Sequence, residues 1–377
     1  VAILDRQGGS VQSLTTKEIK DNSQKRIKEL LKDPGQIEGM AADKSGKRIN
    51  VNIDENCVRF NALIGRVAAN KHSLFDLETK IGNSENPLEI LAELEKEYAD
   101  LKPLTGIKVV VEASNTPSRL AADVFEHLGA EVVLLNGEIK EIDGEHNADP
   151  SKDKNLQDLK DTMIKENAHF GIAFDLDGDR GAIVVPVKLN TSPEIRFSTL
   201  APDNLIVALL GYLINDLGYN PETTGKGVGV IRDVLGTFGV NQKTEELGAE
   251  TFQTDAGYVF LKARRQELLK EGYAIPIYGE RSGHCWLGVT GEIENPVALA
   301  VLFATMVKAE AFDVQGNTKS ETPFYDTYTE KVVPFSQSQR FQPLFHPELL
   351  SKLSDDPRNQ TGWEYDVENP KNPPQVI

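Results

Sequence analysis

The stretch from Gly106 to Leu135 limits the folds open to this chain more than any other. Gly106-Ile107-Lys108-Val109-Val110-Val111-Glu112 is a β-run, Ala113-Ser114-Asn115-Thr116-Pro117 turns it, and a helix is expected from Ser118 to Leu128, closed by Gly129. Ser114 reads as the N-cap of that helix rather than as a nucleophile. A second β-run, Ala130 to Leu135, follows at once. Strands joined through a crossover helix pair parallel, because the helix must lie on one face of the sheet. The chain is therefore read as α/β, with parallel or mixed sheets covered by helices.

The unit continues through Asp149-Pro150, a helix from Asn155 to Glu166, and an apolar strand from Phe170 to Phe174. That strand delivers Asp175, Asp177 and Asp179 at alternate positions into a turn containing Gly178, after which Ala182 to Val185 resumes as a strand. Three carboxylates crowd one turn only if positive charge sits among them, since each raises the pKa of the others. A hard divalent cation with oxygen ligands, Mg2+ above all, answers that need. Arg180, an always-protonated planar fork beside the acids, suits a phosphate group. An ordinary solvated hairpin turn explains Asp177-Gly178 and leaves two aspartates unexplained. An EF-hand loop needs Gly at its sixth position and Glu at its twelfth, where Arg180 and Pro186 stand. A haloacid-dehalogenase type of phosphotransferase would make Asp175 a nucleophile and Asp177 its acid/base, but it wants Thr, Ser or Val at Asp179.

A similar unit follows. Pro202-Asp203 opens an apolar helix to Leu217, and strands are expected at Gly227 to Ile231, Gly248 to Phe252 and Tyr273 to Tyr278. Asp255-Ala256-Gly257-Tyr258 turns into a helix ending near Glu271. A short strand, Cys285 to Val289, precedes a helix from Pro296 to Ala309. Between the last two strands stands Gly279-Glu280-Arg281-Ser282-Gly283-His284. Glu280 and Ser282, two apart, can point to one side of an extended turn, and a carboxylate with a hydroxyl suits vicinal sugar hydroxyls. The rival reading pairs Glu280 with a neighbour and packs His284 under Trp286. Upstream, a capped helix is expected from Thr15 or Thr16 through Leu31, with further helices at Val58 to Val67 and from Asn86-Pro87 to Tyr98. The tail from Asp313 to Ile377 is rich in Gln, Asn, Ser and Pro, and reads as an extension or part of a further domain.

At 377 residues the chain can hold two or three domains with real cores. Its net charge of -17 argues against nucleic acid or an anionic membrane as partner. Two cysteines, Cys57 and Cys285, set no disulfide framework and make a reducing cytoplasm the default. No window reaches the roughly 20 apolar residues of a membrane helix, and Val1 begins no signal sequence.

Taken together, Asp175-Leu176-Asp177-Gly178-Asp179-Arg180 and, about a hundred residues later, Gly279-Glu280-Arg281-Ser282-Gly283-His284 resemble the α-D-phosphohexomutases, the phosphoglucomutase and phosphomannomutase superfamily. The resemblance covers about residues 104 to 310, with Asn147 to Pro150 similar to the family's Pro-Asn-Pro stretch and residues 8 to 32 similar to the helix after its catalytic loop. It implies repeated mixed α/β domains around a central cleft, divided here as 1–103, 104–200, 201–311 and 312–377, and apparently incomplete at both ends. It assigns metal ligands to Asp175, Asp177 and Asp179, phosphate orientation to Arg180, sugar hydroxyl contacts to Glu280 and Ser282, and the general acid/base to His284. The implied activity moves phosphate between the 1- and 6-positions of a hexose phosphate through a phosphoserine and a bisphosphorylated intermediate, with Mg2+ as cofactor and a hexose 1,6-bisphosphate as activator. The family's Thr-Ala-Ser-His-Asn-Pro and Arg-Pro-Ser-Gly-Thr-Glu loops are not found, and Val259 stands where many members carry Lys. The serine is therefore expected upstream of Val1, with a non-catalytic sugar-phosphate binder as the alternative. Neither the particular hexose nor the oligomeric state is legible.

Overall fold

The computed structural model describes residues 53–140, 148–188, 195–200, 202–222, 224–311, 319–320 and 322–336, together with two short strands near the C-terminus. The helix expected from Thr15 or Thr16 to Leu31 lies outside the described residues, as does Asn147. The chain divides into two compact units, Val1–Ser338 and Gln339–Ile377. In the second, Trp363–Glu364 pairs antiparallel with Gln375–Val376.

In the first unit, helices α1 (Ile53–Ala69), α2 (Leu74–Asn83) and α3 (Pro87–Tyr98) precede the first sheet. The sheet is built from β1 (Lys108–Glu112), β2 (Glu131–Leu135), β3 (Phe170–Phe174), β4 (Gly181–Lys188) and β5 (Ile195–Leu200). Its order is β2-β1-β3-β4-β5, parallel across β2-β1-β3 and antiparallel from β3 to β5. Helix α4 (Leu120–His127) makes the first crossover and α5 (Gln157–Glu166) the second. Every residue of β3 is buried, as an interior strand covered on both faces must be.

The second sheet repeats the arrangement. It uses β6 (Gly227–Asp233), β7 (Glu250–Thr254), β9 (Ile277–Gly279) and β10 (Cys285–Leu287) in the order β10-β9-β6-β7, with the short β8 (Tyr273–Ala274) also on β6. Parallel pairing of β6 with β7 and β9 again gives way to one antiparallel partner, β10. The single strand expected from Tyr273 to Tyr278 is split into β8 and β9, with Pro276 in the gap, because proline lacks the N–H that a continuous ladder uses. Helices α6 (Pro202–Asn215), α7 (Gly239–Glu246), α8 (Tyr258–Glu271) and α9 (Pro296–Ala311) complete the layers.

Helix α6 is buried nearly all round, including Leu205, Ile206, Leu209, Leu210 and Leu213. Each such side chain contributes about 1.5–3 kcal/mol by leaving water. Helix α1 packs on α9, and at Gly65 a Cβ would lie 2.7 Å from Val301 Cγ1, so the close crossing needs glycine there. Of the polar tail read from Asp313 onward, the described residues 323–336 include core positions, Phe324 and Val332 among them. Pro323–Thr327 (α10) and Val333–Ser336 (α11) flank a π-helical turn, and buried Phe324 stacks on Phe170 with ring centroids 4.7 Å apart. One or two apolar anchors in a polar segment leave no periodic trace in sequence.

Candidate functional site

Both singled-out motifs occupy the same kind of position. Each lies in the hairpin turn by which an antiparallel strand returns from the carboxyl end of a parallel one: residues 175–180 join β3 to β4, and 280–284 join β9 to β10. Open α/β sheets bind ligands at that edge.

The acidic turn is organised by its first residue. Asp175 is 3% exposed, and its Oδ1 accepts hydrogen bonds from Gly178 N at 3.0 Å and Arg180 N at 3.2 Å, while Oδ2 accepts from Arg180 Nε at 2.6 Å. Gly178 has φ +73, and its Cα sits against Ser118 at the start of the crossover helix, where an added Cβ would lie 2.6 Å from Ser118 Oγ. Asp177 is exposed and Asp179 half-buried. One carboxylate oxygen from each of Asp175, Asp177 and Asp179 falls within 4.8 Å of the others. Arg180 pairs closely with Asp175 alone, its Nε standing 3.8 Å from Asp179 Oδ1. Asp179 Oδ1 is buried without a hydrogen-bond partner. Burial first, then the charges of Asp175 and Asp177, raise the Asp179 carboxyl to about 6 against the opposing pull of His284. Excess negative charge and an unpartnered oxygen in an all-oxygen donor set fit a hard divalent cation. The same contacts weigh against Asp175 as a nucleophile, because both of its oxygens are already held by the guanidinium and two backbone donors.

The second turn is closed by a hydrogen bond from Glu280 N to His284 O at 2.8 Å. Ser282 Oγ donates to Glu280 Oε2 at 2.7 Å, so the two residues do converge, and Glu280 Oε1 is left without a partner. The ring of His284 stacks on Trp286, 6.1 Å between centroids and 20° between planes. This is the packing that the rival reading expects, yet the His284 side chain stays 20% exposed within it.

The two turns meet. Gly283, at φ +125, lies flat on the Arg180 side chain, and an added Cβ would stand 3.0 Å from both Arg180 Cγ and Cδ. His284 Nδ1 is 3.7 Å from Asp179 Oδ2. Substitution of Gly283 by alanine is expected to push Arg180 off Asp175 and to strain the turn. The cost is about 1–3 kcal/mol, read as a lower denaturation midpoint. An unchanged midpoint would mean that the contact is slack.

Ser114 is not a helix N-cap. Thr116 caps the turn Pro117–Arg119 by accepting from Ser118 N, whereas Ser114, at φ +52 and 2% exposed, donates its hydroxyl to Phe174 O at 2.9 Å. Two consecutive left-handed residues, Ser114 and Asn115, bend the loop before the helix starts, which moves the cap two residues on. The backbone N–H of Ser114 donates to Glu112 Oε1, and Asn136 Nδ2 donates to both oxygens of the same carboxylate. This knot, buried at Glu112 and Ser114 and open to solvent at Asn136, holds the carboxyl edge beside Asp175. Glu294 and Lys262, which flank His284, carry no sequence signal, because neither sits in a motif.

Residues 90–204 match the family model for phosphoglucomutase/phosphomannomutase, alpha/beta/alpha domain II. Over that stretch the chain is similar to the phosphoglucomutase/phosphomannomutase family. It is 30% identical over 200 residues to a phosphoglucosamine mutase of Caldicellulosiruptor saccharolyticus, covering 51% of this chain and 39% of that protein. Against a phosphomannomutase/phosphoglucomutase of Pseudomonas aeruginosa it is 31% identical over 209 residues, covering 50% and 42%. The matched part thus spans about two-fifths of these relatives. A solved phosphoglucomutase/phosphomannomutase family protein from Burkholderia thailandensis superposes with a TM-score of 0.44 at 27% identity, covering 58% of this chain and 43% of that one.

Proposed function

We propose that the paired turns form the catalytic cleft of a phosphohexomutase, an isomerase that moves phosphate between the 1- and 6-positions of a hexose phosphate. The observation that carries this reading is the seating of Gly283 on Arg180, which joins an acidic turn from one sheet to a sugar-type loop from the next. Domain boundaries near 103, 200 and 311 accompany the proposal, as does a cytoplasmic setting; among the described residues no helix is long and apolar enough to cross a membrane.

In this reading Asp175, Asp177 and Asp179 hold Mg2+, which when bound neutralises charge on the transferred phosphoryl group. Arg180, fixed by Asp175, presents its remaining guanidinium donors to the phosphate oxygens. Glu280 Oε1 accepts from a sugar hydroxyl, with Ser282 keeping the carboxylate oriented. His284, whose imidazole can both accept and donate, takes the proton from the attacking hydroxyl or returns it to the leaving one. A phosphoserine donor and a hexose 1,6-bisphosphate intermediate belong to the proposal.

The test is phosphorus NMR of a full-length form given glucose 1-phosphate, mannose 1-phosphate or glucosamine 1-phosphate, with Mg2+ and a trace of the matching 1,6-bisphosphate. Growth of a 6-phosphate resonance is expected with one of them. Thermal stabilisation by these ligands without turnover would replace the mutase with a binding protein, and neither response would end the reading.

A further inference from the structure

The seat of His284 is built from three separate elements of the fold. Trp286 on β10 stacks against its ring, and Tyr258 at the head of α8 tilts against it at 6.2 Å and 48°. The Nδ1 atom is buried and makes no hydrogen bond, yet two carboxylates face it: Asp179 Oδ2 at 3.7 Å and Glu294 Oε1 at 4.0 Å. Glu294 comes from the segment leading into α9, whose first residue, Pro296, abuts the β4 backbone at Gly181.

Behind this seat lies Lys262 of α8, 4% exposed. Its Nζ is 3.5 Å from Glu294 Oε1, and it stands over the rings of Trp286 at 5.2 Å and Tyr258 at 5.3 Å. All three of these partners also face His284. A lysine is buried so completely only where anion and aromatic faces replace its water, so its position fixes theirs.

A buried ring nitrogen facing carboxylates is favoured as a donor, which puts the hydrogen of a neutral imidazole on Nδ1 and leaves Nε2 as the acceptor. Asp179 stands in the acidic cluster of the neighbouring turn, whereas Glu294 lies outside that cluster and is held beside the histidine by its ion pair with Lys262. We propose that Glu294, braced by Lys262, is the positioning residue that keeps the hydrogen on Nδ1 of His284 and so leaves Nε2 open to the proton of a sugar hydroxyl. A side-chain movement of about 1 Å turns the 4.0 Å approach into a hydrogen bond, the kind of tightening that catalytic contacts undergo when substrate closes the site.

Only the activity arm of the test rests on the mutase reading. Nitrogen-15 NMR of histidine-labelled full-length protein at about pH 8, above the ordinary imidazole range, reports the tautomer directly. The chain has six histidines, and loss of a signal in His284→Gln assigns the one that matters. Wild-type His284 is expected as the Nδ1–H tautomer, shifting toward Nε2–H in both Glu294→Ala and Lys262→Met, with Glu294→Asp restoring part of the wild-type pattern. In those two variants kcat is expected to fall about tenfold or more while KM stays within about twofold. An Nε2–H tautomer in wild type overturns the proposal, and so does an unchanged tautomer in whichever of the two variants folds. If wild type itself shows no turnover, the mutase reading has failed and the tautomer result still decides this one.

Discussion

Replacing Asp179 with asparagine is expected to raise stability without Mg2+ and to abolish the stabilisation that Mg2+ gives. The Asp179 carboxyl, raised to about 6 from an ordinary 3.8, binds its proton more tightly folded than unfolded. Stability of the metal-free protein therefore falls as pH rises from about 4 through about 6, and the whole deficit is present at about pH 7. A shift of that size corresponds to about 3 kcal/mol at full strength. With 34% of the side chain exposed, solvent screening reduces it to about 1–2 kcal/mol. The neutral amide that replaces the carboxylate does not repel Asp175 and Asp177, so the metal-free melting temperature rises by about a few degrees. Under the proposed metal site, added Mg2+ is expected to reverse the order, stabilising the wild type by mass action and the variant, which lacks one of the three carboxylates, far less. Melting curves at about pH 5 and pH 7 with and without Mg2+ check both signs. A variant that melts lower without Mg2+ and still responds to the metal would remove Asp179 from the site.

Arg180→Met is expected to damage stability and chemistry together. It leaves Asp175, 3% exposed, with only the N–H groups of residues 178 and 180 for its charge. Stranding a buried carboxylate in this way costs about 2–4 kcal/mol, read from urea unfolding. Loss of the guanidinium opposite the phosphate costs about a thousandfold in kcat under the proposed reaction. Arg180→Lys separates the effects, since it returns a cation to Asp175 without a planar fork for phosphate. Most of the stability is expected back and little of the rate. A Met variant as stable as the wild type would mean that the 2.6 Å pair at Asp175 is not the anchor of the turn. The Mg2+ dependence offers a second check, because a bound cation offsets part of the stranded charge and the stability loss shrinks when it is present.

Much of the fold is legible along the chain because it is local. The β1 and β3 runs, the helices through Val58–Val67 and Pro87–Tyr98, and the hairpin turn with three aspartates follow from side-chain period and turn chemistry within about ten residues. The likeness of the two sheets is visible as a repeated order of elements. Helices α2 and α7 and strand β5 are not foreseen. Helix α7 is short and polar, with Gly239 at its start, and it is held by packing on α6 and β7. Ser114 departs from its expected capping role because its neighbour Asn115 shares the left-handed turn, and two such residues in a row are rare outside glycine.

From the sequence alone come the α/β class, the charge imbalance at 175–179 and the convergence of Glu280 with Ser282, since each depends on residues a few positions apart. Tertiary structure alone decided that Gly283 lies on Arg180, about a hundred residues away, and that Glu294 and Lys262 surround His284. Contacts of that range are set by how both sheets pack on helix α9, which touches β4 of one and β10 of the other, and packing depends on the summed shape of both cores, which no short stretch of chain encodes.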